Sequence, residues 1–496
     1  MPSCMILAAC LALAITSAGA QTISVYQTTP DLLEALKEVH SLRFAAKPDP
    51  GMTAPMITVD DSRQFQEIDG FGASLTDSAA WLFAKKLTPA QTDAAFKTLF
   101  SRKDGIAVSF LRQPIGSSDL AVTFYSYDDL CQQTETACTT PAGLSDPNLT
   151  HFSLAHDQEY ILPLLQKALA LNPAIKVMLT PWSPPGWMKN SGSMLGARPG
   201  SPQGAGSDAS QPSHLRPEFY TAFANYLVKS VQGYQSAGIP IYALSVQNEP
   251  LYAPPTYSGM QMRAEEQAGF FGDDLGPAMA AAGLKTKVMA YDHNWDQPEY
   301  PETVMKEPNA AALVAGTAWH HYGGDPKVMT QIHDEFPNKD EWVTESSGGT
   351  WQKGNVLAQE AAELIAVMRN WSKSYVLWAL ATDQNHGPHV GGCGTCRGLV
   401  TIDLSIPGNP SVKPEPDYFV LGHASKFLLP GAVRIDSDEP AGTQLKDVAF
   451  RNPDGTIVLY TVNAGAASQA LRIGFHAKSV ATILPAGSVA TFIWKP

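Results

Sequence analysis

The sequence is poor in charged residues, and positive charge is the scarcer sign. Asp, Glu, Lys and Arg make up only 16% of the 496 residues, and 34 basic residues face 47 acidic ones, which leaves a net charge of −13. Binding to nucleic acid or to an anionic membrane surface needs a basic patch, which this balance disfavours. We therefore expect no nucleic-acid partner for a chain whose hydrophobic content of 44% is that of an ordinary globular protein.

The sequence also lacks a hydrophobic run of the length that stable membrane insertion requires. The apolar stretch at residues 1–20 is short, and it ends in the pattern A-x-A at Ala20, which is typical of signal cleavage. No Lys or Arg precedes its apolar part. We predict an export signal over 1–20, cleaved near Ala20, and a periplasmic or extracellular protein. The sequence L-A-A-C at 7–10 resembles a lipoprotein box, so lipid anchoring at Cys10 is a minor alternative.

Cysteine is scarce, with six in the chain, of which Cys4 and Cys10 leave with the signal. The other four form two close pairs, and in an exported protein such pairs predict disulfides. Four cysteines allow three connectivities, of which we expect the local one. A zinc site is the alternative, but no His lies at ligand spacing beside either pair, so we predict no metal. The four are Cys131, Cys138, Cys393 and Cys396.

Internal repeats and a Gly-rich phosphate turn are absent, whereas apolar runs alternate with amphipathic stretches. The runs show no clean two-residue alternation, which is typical of strands buried on both faces. Eight of them predict an α/β fold, a (β/α)8 TIM barrel, with a doubly wound sheet as the alternative. The predicted strands are 67–73, 107–114, 174–181, 241–246, 287–291, 315–321, 341–344 and 374–381. The predicted helices include 88–100, 156–171 and 217–238.

The chain divides into four parts by composition. Residues 1–20 are the signal, and 21–65 form an N-terminal arm with strand-like pieces at 22–27 and 56–60 around a helix-like 32–39. Residues 66–430 form the catalytic barrel, and 431–496 hold short strands separated by turn signals. We expect the last part to be a small β-sandwich that the N-terminal arm completes. A breaker-rich segment at 189–217 is predicted to be a mobile loop at the rim of the catalytic face.

Two glutamates end predicted strands in the same way. Glu249 follows an apolar strand and precedes Pro250, and Glu345 ends the strand-like sequence E-W-V-T-E. Catalytic groups of TIM barrels lie at the carboxyl ends of strands, and strands four and seven face one another across the mouth. Two such carboxylates are the minimum equipment of a glycoside hydrolase. Their separation decides between retention and inversion, and it is not readable from sequence.

Other strand ends carry residues that suit the same chemistry. Arg112 is placed to hold an ionised Glu345 by charge-assisted hydrogen bonds. Asn248 is placed to bond a sugar 2-hydroxyl, and Asp77 to accept from two sugar hydroxyls. His320 and Tyr322 are expected to bond the substrate and Glu345, whereas adjacent His320 and His321 make a poor metal set because strand neighbours point to opposite faces. The tryptophans available for packing on a pyranose ring are Trp182, Trp187, Trp319 and Trp378.

Seven stretches together resemble glycoside hydrolase family 30, the family of lysosomal glucosylceramidase. The resemblance runs from about Gln66 to the C-terminus, with the motifs in the order and spacing of the family. The matching stretches are G-F-G-A-S-L-T-D-S-A-A (70–80), F-L-R-Q-P-I-G-S-S-D (110–119), T-P-W-S-P-P-G-W-M-K (180–189), Q-N-E-P (247–250), A-W-H-H-Y (318–322), V-T-E-S-S (343–347) and Y-F-V-L-G-H-A-S-K-F (418–427).

The resemblance implies a retaining mechanism without a cofactor, in which Glu249 matches the acid/base and Glu345 the nucleophile. It implies that Arg112 and Tyr322 lie around the nucleophile, and that the sugar pocket is lined by Asp77, Trp182, Asn248 and Trp378. A neighbouring Glu345 charge is expected to raise the pKa of Glu249.

We expect an exported retaining β-glycosidase acting on a β-linked glucoside, oligosaccharide or glycolipid, foremost a glucosylceramidase-like β-glucosidase. Three departures from the human-type enzyme lie near the expected rim: Ala379, His321 and the loop 391–398. They leave room for a polysaccharide, so an endo-β-1,6-glucanase is the alternative. A non-catalytic glycan-binding protein is the remote one, since such proteins usually lose a catalytic carboxylate and both are present here.

Overall fold

The computed structural model describes residues 21–45, 53–134, 136–197 and 212–496, so the predicted signal at 1–20 lies outside the described residues. Its strands are, in chain order, β1 Thr22–Thr28, β2 Lys37–Arg43, β3 Met56–Glu67, β4 Gly70–Ser74, β5 Phe110–Ile115, β6 Gln132–Gln133, β7 Cys138–Thr139, β8 Lys176–Pro181, β9 Ile241–Ser245, β10 Lys287–Asn294, β11 Val314–His320, β12 Asp340–Ser346, β13 Ser372–Leu377, β14 Ala379–Asp383, β15 Gly398–Asp403, β16 Ser411–Pro414, β17 Val433–Ser437, β18 Leu445–Arg451, β19 Ile457–Asn463, β20 Gln469–Phe475, β21 Lys478–Leu484 and β22 Val489–Trp494.

Helices alternate with the strands of the central part. The α-helices are α1 Asp77–Trp81, α2 Pro89–Phe100, α3 Ala155–Glu159, α4 Ile161–Leu171, α5 Tyr220–Ser236, α6 Ala264–Gly269, α7 Gly276–Ala281, α8 Glu299–Lys306, α9 Pro308–Leu313, α10 Lys327–Glu335, α11 Val356–Arg369 and α12 Pro416–Ser425. Two π-helical turns cover Leu82–Lys86 and Phe270–Leu275, and two 3₁₀ turns cover Gly186–Met188 and Pro217–Phe219.

Eight parallel strands close into a barrel in the order β4-β5-β8-β9-β10-β11-β12-β13. The eight predicted strands fall on these eight, which confirms the TIM barrel over the doubly wound sheet. The predicted eighth strand is two strands, because the chain turns at Trp378. There β14 leaves the barrel to pair with β15, with Ala379 opposite Gly398. The buried side chains inside the barrel include Phe110, Met178, Met289 and Trp342.

Local contacts and backbone angles explain where the predicted helices begin and end. Thr88 caps α2 through a capping box with Gln91, and Pro89 takes the first helical position, where its missing N–H costs nothing. The predicted helix 156–171 is divided into α3 and α4 because Tyr160 has an extended φ of −151°. None of the helices among the described residues combines the length and apolar character that a membrane crossing requires.

The N-terminal arm joins the C-terminal strands in one nine-stranded sheet of order β2-β1-β22-β19-β18-β17-β3-β20-β21. Strand β1 pairs with β22, and β3 lies between β17 and β20, so the arm supplies three strands. The predicted helix at 32–39 is wrong. Leu32 and Leu36 have φ values of 57° and 51°, which no right-handed helix accommodates. The chain turns there instead, and β2 returns alongside β1.

Candidate active site

Glu249 lies at the mouth of the barrel, four residues after the end of β9. Its φ of 47° is left-handed and uncommon for a residue with a side chain, so surrounding contacts must maintain it. Its backbone N–H donates to the carbonyl of Asp292 at 3.0 Å, and its own carbonyl accepts from the Tyr252 N–H at 2.8 Å. The preceding Asn248 N–H donates to the carbonyl of Pro181 at 2.9 Å. Backbone bonds to neighbouring strand ends therefore aim this carboxylate.

Glu345 lies in β12, one residue before the strand ends, and is 95% buried with 5% of its surface exposed. Its Oε2 accepts from Arg112 Nη1 at 2.5 Å, and its Oε1 accepts from the Tyr322 hydroxyl at 2.8 Å. Both contacts stabilise the ionised carboxylate. The structure thus brings Arg112 and Tyr322 to Glu345.

The two glutamates approach closely across the barrel mouth. One carboxylate oxygen of Glu249, one of Glu345 and a ring nitrogen of His320 all lie within 4.8 Å of one another. Retaining glycosidases separate their two carboxyl groups by roughly 5–5.5 Å, whereas inverting ones leave about 6.5–9.5 Å for a water. The upper limit of 4.8 Å on this oxygen separation favours the retaining geometry over the inverting one.

Asp292 is an unforeseen member of the site. It is fully buried and accepts from Arg112 Nη2 at 2.9 Å and from His320 Nε2 at 3.0 Å. It follows a register irregularity in β10, where Tyr291 and Asp292 have φ values of 71° and 68°. This irregularity turns the carboxylate into the barrel. The sequence predicts that the strand stops at Tyr291 and carries no sign of the irregularity.

The buried charges around Asp292 shift one another's pKa values. Burial raises the pKa of Asp292, but the Arg112 charge and the His320 hydrogen bond bring it well below its ordinary value. Burial lowers the pKa of His320, but the Glu345 charge and hydrogen bonds to Asp292 and Glu249 raise it to about 9. Since that value lies above neutrality, His320 is cationic at pH 7.

The pKa of Glu249 departs from the sequence expectation. Burial raises it, but the hydrogen bond between His320 Nδ1 and Glu249 Oε1, at 3.3 Å, and the Arg112 charge lower it below the ordinary value. The expected increase from the Glu345 charge is thus outweighed. The lowered pKa of Glu249 and the raised pKa of His320 together favour a proton on the imidazole over one on the carboxylate.

Glu249, His320 and Glu345 are also close enough to one another to hold a metal ion. Their contacts suit a different arrangement, because Arg112 already pairs with Glu345 and His320 carries a proton that faces Glu249. A cation at this point would lie beside two positive side chains. The site is therefore built around an arginine rather than a metal.

A pocket of about 720 Å³ opens above the two glutamates. Its inner wall is the stacked pair Trp182 and Trp378, with ring centroids 4.7 Å apart, and Arg112 lies 4.8 Å from the Trp182 ring. The lining residues are Asp119, Trp182, Asn248, Glu249, Tyr252, Pro255, Thr256, Tyr257, Tyr322, Glu345, Trp351, Trp378, Gly391, Gly392, Cys393 and Cys396. The pocket thus combines aromatic faces with a few polar groups, as sugar sites do.

The aspartate that lines the pocket is Asp119, whereas Asp77 lies elsewhere. Both carboxylate oxygens of Asp77 have partners outside the pocket: the Val122 N–H at 2.7 Å, and His156 at 2.8 Å together with the Tyr160 hydroxyl. Asp119 is buried beneath the pocket wall, and burial raises its pKa to about 7. The sequence contains one indication of a role for Asp119, which is its place at the end of the stretch 110–119, seven residues after Arg112.

Two of the four tryptophans pack outside the pocket. The Trp187 Nε1–H donates to the carbonyl of Asp128 at 3.0 Å, and the Trp319 Nε1–H donates to Glu341 at 2.5 Å. Trp351, which the sequence analysis overlooked, lines the rim with 48% of its surface exposed. It follows β12 by five residues, in a loop whose sequence carries no strand-end signal.

Residues 391–396 contribute to the pocket rim, whereas none of the described residues of the predicted 189–217 loop lines the pocket. Cys393 and Cys396 are joined as a disulfide, and the Cys393 N–H donates to Asp119 at 3.1 Å. A Cβ on Gly392 would lie 1.9 Å from the Cβ of Asp119, so only glycine permits this approach. The described parts of the 189–217 loop surround Lys189, whose ammonium donates to the carbonyls of Met194, Leu195 and Gly259. The second disulfide joins Cys131 and Cys138.

Comparison with known proteins gives the same fold and the same motifs. A family model described as the glycosyl hydrolase family 30 TIM-barrel domain matches residues 68–428, and the family 30 beta sandwich domain matches 431–492. The chain belongs to glycoside hydrolase family 30. The resemblance inferred from the motifs is confirmed, and the chain is a retaining glycoside hydrolase.

Relatives in sequence include proteins with two kinds of name. Endo-1,6-beta-D-glucanase BGN16.3 of Trichoderma harzianum is 34% identical over 421 residues, covering 82% of this chain and 80% of that protein. Lysosomal acid glucosylceramidase of Mus musculus is 28% identical over 471 residues, covering 89% and 84%. The solved endo-beta1,6-glucanase BT3312 has a TM-score of 0.80 and 31% identity, covering 96% of this chain and 99% of that one.

Proposed function

We propose that this protein is an exported endo-β-1,6-glucanase that cleaves by double displacement, with Glu345 as nucleophile and Glu249 as acid/base. The approach of their oxygens to within 4.8 Å supports the chemistry. The endo-1,6-β-glucanases among the relatives, which are more similar in sequence than the mouse glucosylceramidase, support the substrate.

In the first step, an oxygen of Glu345 attacks the anomeric carbon while the glycosidic bond breaks. Glu249 gives its proton to the leaving oxygen. In the second step, water attacks the same carbon, Glu249 takes a proton from it, and the bond to Glu345 breaks. Arg112 and Tyr322 stabilise the carboxylate that is released. His320 supplies the proton that Glu249 needs at the start, through their 3.3 Å contact.

The remaining pocket residues have roles that follow from their positions. Trp182 and Trp378 pack against the sugar at the cleaved position, and Asn248 bonds its 2-hydroxyl. Asp119 accepts hydrogen bonds from the sugar hydroxyls, which is the role that the sequence predicted for Asp77. The exposed Trp351 offers an aromatic face to the sugar on the leaving side, as an endo-acting enzyme requires.

The proposal that the protein is exported rests on the signal-like residues 1–20 and on the two local cysteine pairs, since disulfides persist in oxidising compartments. A mature chain that begins at Gln21 is the expected product. Intact-mass measurement on the protein recovered from its native compartment tests this. A mass that includes residues 1–20, or a lipid on Cys10, would contradict cleavage near Ala20.

Product analysis on a substrate panel tests the function. The panel contains linear β-1,6-glucan, β-1,3-glucan, an aryl β-glucoside and glucosylceramide, with Glu345→Gln as the inactive control. We expect β-1,6-linked oligosaccharides early in the digestion of β-1,6-glucan, released with the β configuration by NMR. Glucose as the first product from the polymer, or products with inverted configuration, would contradict the proposal.

A glucosylceramidase-like β-glucosidase is the second candidate, because the mouse lysosomal enzyme aligns over 89% of this chain. The same pocket and the same two glutamates serve it. Hydrolysis of glucosylceramide with no release of oligosaccharides from β-1,6-glucan would favour this candidate over the first.

A further inference from the structure

A second cluster of ionisable side chains lies in the long loop between β5 and α3. Asp128, Asp146 and His151 each offer one ligand atom, and these atoms all lie within 4.8 Å of one another. None of the three lines the active-site pocket. The cluster therefore has no part in the chemistry proposed for the two glutamates.

Asp128 is the unusual member, because its carboxylate is buried without a partner. The residue is 0% exposed, and neither Oδ1 nor Oδ2 accepts a hydrogen bond from any residue that the structure describes. Its backbone groups are satisfied, since its N–H donates to Ser126 Oγ and its carbonyl accepts from Trp187. A buried carboxylate without a hydrogen-bond donor is costly, and here a second carboxylate is its neighbour.

Asp146 and His151 form a rigid turn that faces Asp128. Asp146 Oδ2 accepts from the Thr150 hydroxyl at 2.9 Å and from the His151 N–H at 2.8 Å, and it lies 2.8 Å from His151 Nδ1. These contacts hold the side chains of Asp146 and His151 against each other. All of them go to one oxygen of Asp146.

We propose that Asp128, Asp146 and His151 bind one divalent cation of the zinc class. Zinc takes imidazole nitrogen and carboxylate oxygen at about 2.0–2.2 Å, so neighbouring ligand atoms lie roughly 3–3.5 Å apart in a tetrahedron. Three protein ligands and a water complete such a set. Calcium prefers six to eight oxygen ligands and suits an imidazole poorly.

The bound cation has a structural role. It neutralises the buried Asp128 carboxylate and joins two turns that lie 18 residues apart in sequence. The Cys131–Cys138 disulfide lies between these turns, and the same loop carries Asp119 at its start. Metal binding should therefore raise the thermal stability of the whole protein and leave the chemistry of hydrolysis unchanged.

Metal analysis on the mature chain, expressed without a polyhistidine tag, tests the site. The protein is stripped with EDTA, dialysed against Zn²⁺, Mn²⁺ or Ca²⁺, and assayed by elemental analysis, by titration calorimetry and by its melting temperature. We expect about one zinc per chain and a higher Tm with Zn²⁺ than with Ca²⁺. Asp128→Asn and His151→Gln should weaken zinc binding by about ten-fold or more.

His476→Gln is the matched control, because His476 lies at the same distance, 2.8 Å, from Asp61 but has no buried third carboxylate. It should bind zinc as the wild type does. The stripped Asp128→Asn protein should be at least as stable as the stripped wild type, since it loses an unpaired buried charge. Zinc binding by Asp128→Asn and His151→Gln with wild-type affinity, or a larger Tm increase with Ca²⁺, would overturn the proposal.

Discussion

Replacing Asp292 with asparagine removes one negative charge from below the catalytic mouth and preserves the volume of the side chain. In the wild type, five donors surround this carboxylate: Arg112 at 2.9 Å, His320 at 3.0 Å, Thr180 at 3.0 Å, Ser245 at 2.5 Å and Thr344 at 2.7 Å. Asparagine keeps one accepting oxygen and turns the other atom into a donor. One part of the network must therefore break.

His320 is the group on which this change acts most. Its pKa of about 9 depends on Glu345, Asp292 and Glu249, against a burial that lowers it. Without the Asp292 charge and its hydrogen bond, the pKa of His320 should fall by about one to two units, because the charges of Glu345 and Glu249 remain. At 1.36 kcal/mol per unit, this represents roughly 1–3 kcal/mol of lost stabilisation of the imidazolium.

The sign of the activity change follows from the shared proton. The first chemical step needs a proton on the pair formed by His320 and Glu249, and the pair loses it as the pH rises through its pKa. In the wild type, kcat/KM should therefore decline near pH 9. In Asp292→Asn, the decline should begin about one to two pH units lower, and activity near pH 8 should be reduced.

Stability should change in the same variant. Arg112 is fully buried and loses one of its two anionic partners, and a hydrogen bond to a charged group contributes about 1.5–3 kcal/mol. The pKa of Asp292 is depressed by folding, so its stabilisation is complete above its unfolded value of about 3.9 and is lost as the pH falls below it. The Tm deficit of the variant should thus be present at pH 7 and shrink in acid.

The assay is the pH profile of kcat/KM with β-1,6-glucan, whose leaving group needs the acid, together with calorimetric Tm. Asp447→Asn is the control, because Asp447 is buried in the β-domain and burial raises its pKa to about 7, so it titrates independently of the mouth. It should leave the profile unchanged. An alkaline limb in Asp292→Asn within half a pH unit of the wild type, at equal Tm, would refute the reasoning about His320.

Three further substitutions test separate parts of the site. Glu249→Gln should reduce kcat by roughly 10²–10⁴-fold for natural glucosides. The loss should be smaller for an aryl glucoside, because its good leaving group needs no acid. Equal losses on both substrates would contradict the acid role. Trp351→Ala should raise KM for β-1,6-glucan and leave the aryl glucoside unaffected, as initial rates on both will show. Lys189→Met should lower Tm, because three carbonyls lose their common donor, whereas Lys353→Met, at an exposed lysine, should not.

The sequence predicts the barrel strands because each is an apolar run that needs burial on both faces. Glu249 and Glu345 could be located for the same reason, since a charged residue at the end of such a run has only the mouth in which to lie. Arg112 follows from the same argument, because a buried cation needs an anion. The prediction of a helix at 32–39 is wrong because its apolar residues belong to a turn and to a strand that packs in the β-domain. Local sequence does not specify that packing.

The site residues that could not be predicted depend on irregular backbone or on contacts between distant segments. Asp292 is aimed by two consecutive left-handed residues within β10, and nothing in its sequence distinguishes this strand from a regular one. Asp119 reaches the pocket because the Cys393 loop lies against it, a contact between segments 274 residues apart. Asp77 satisfies the same strand-end rule as Asp119, and only the fold reveals that Val122, His156 and Tyr160 occupy its oxygens.

The environments of the two glutamates favour the two catalytic roles that we propose for them. Glu345 accepts hydrogen bonds from Arg112 and Tyr322, of which Arg112 is permanently charged, and these contacts suit a nucleophile. Glu249 contacts His320, which carries an exchangeable proton, so it is suited to give and take one. A sugar in the pocket excludes water from Glu249, and loss of water favours the neutral acid over the carboxylate. Substrate binding should therefore move the shared proton from the imidazole to Glu249, which produces the acid at the moment when the glycosidic oxygen is present.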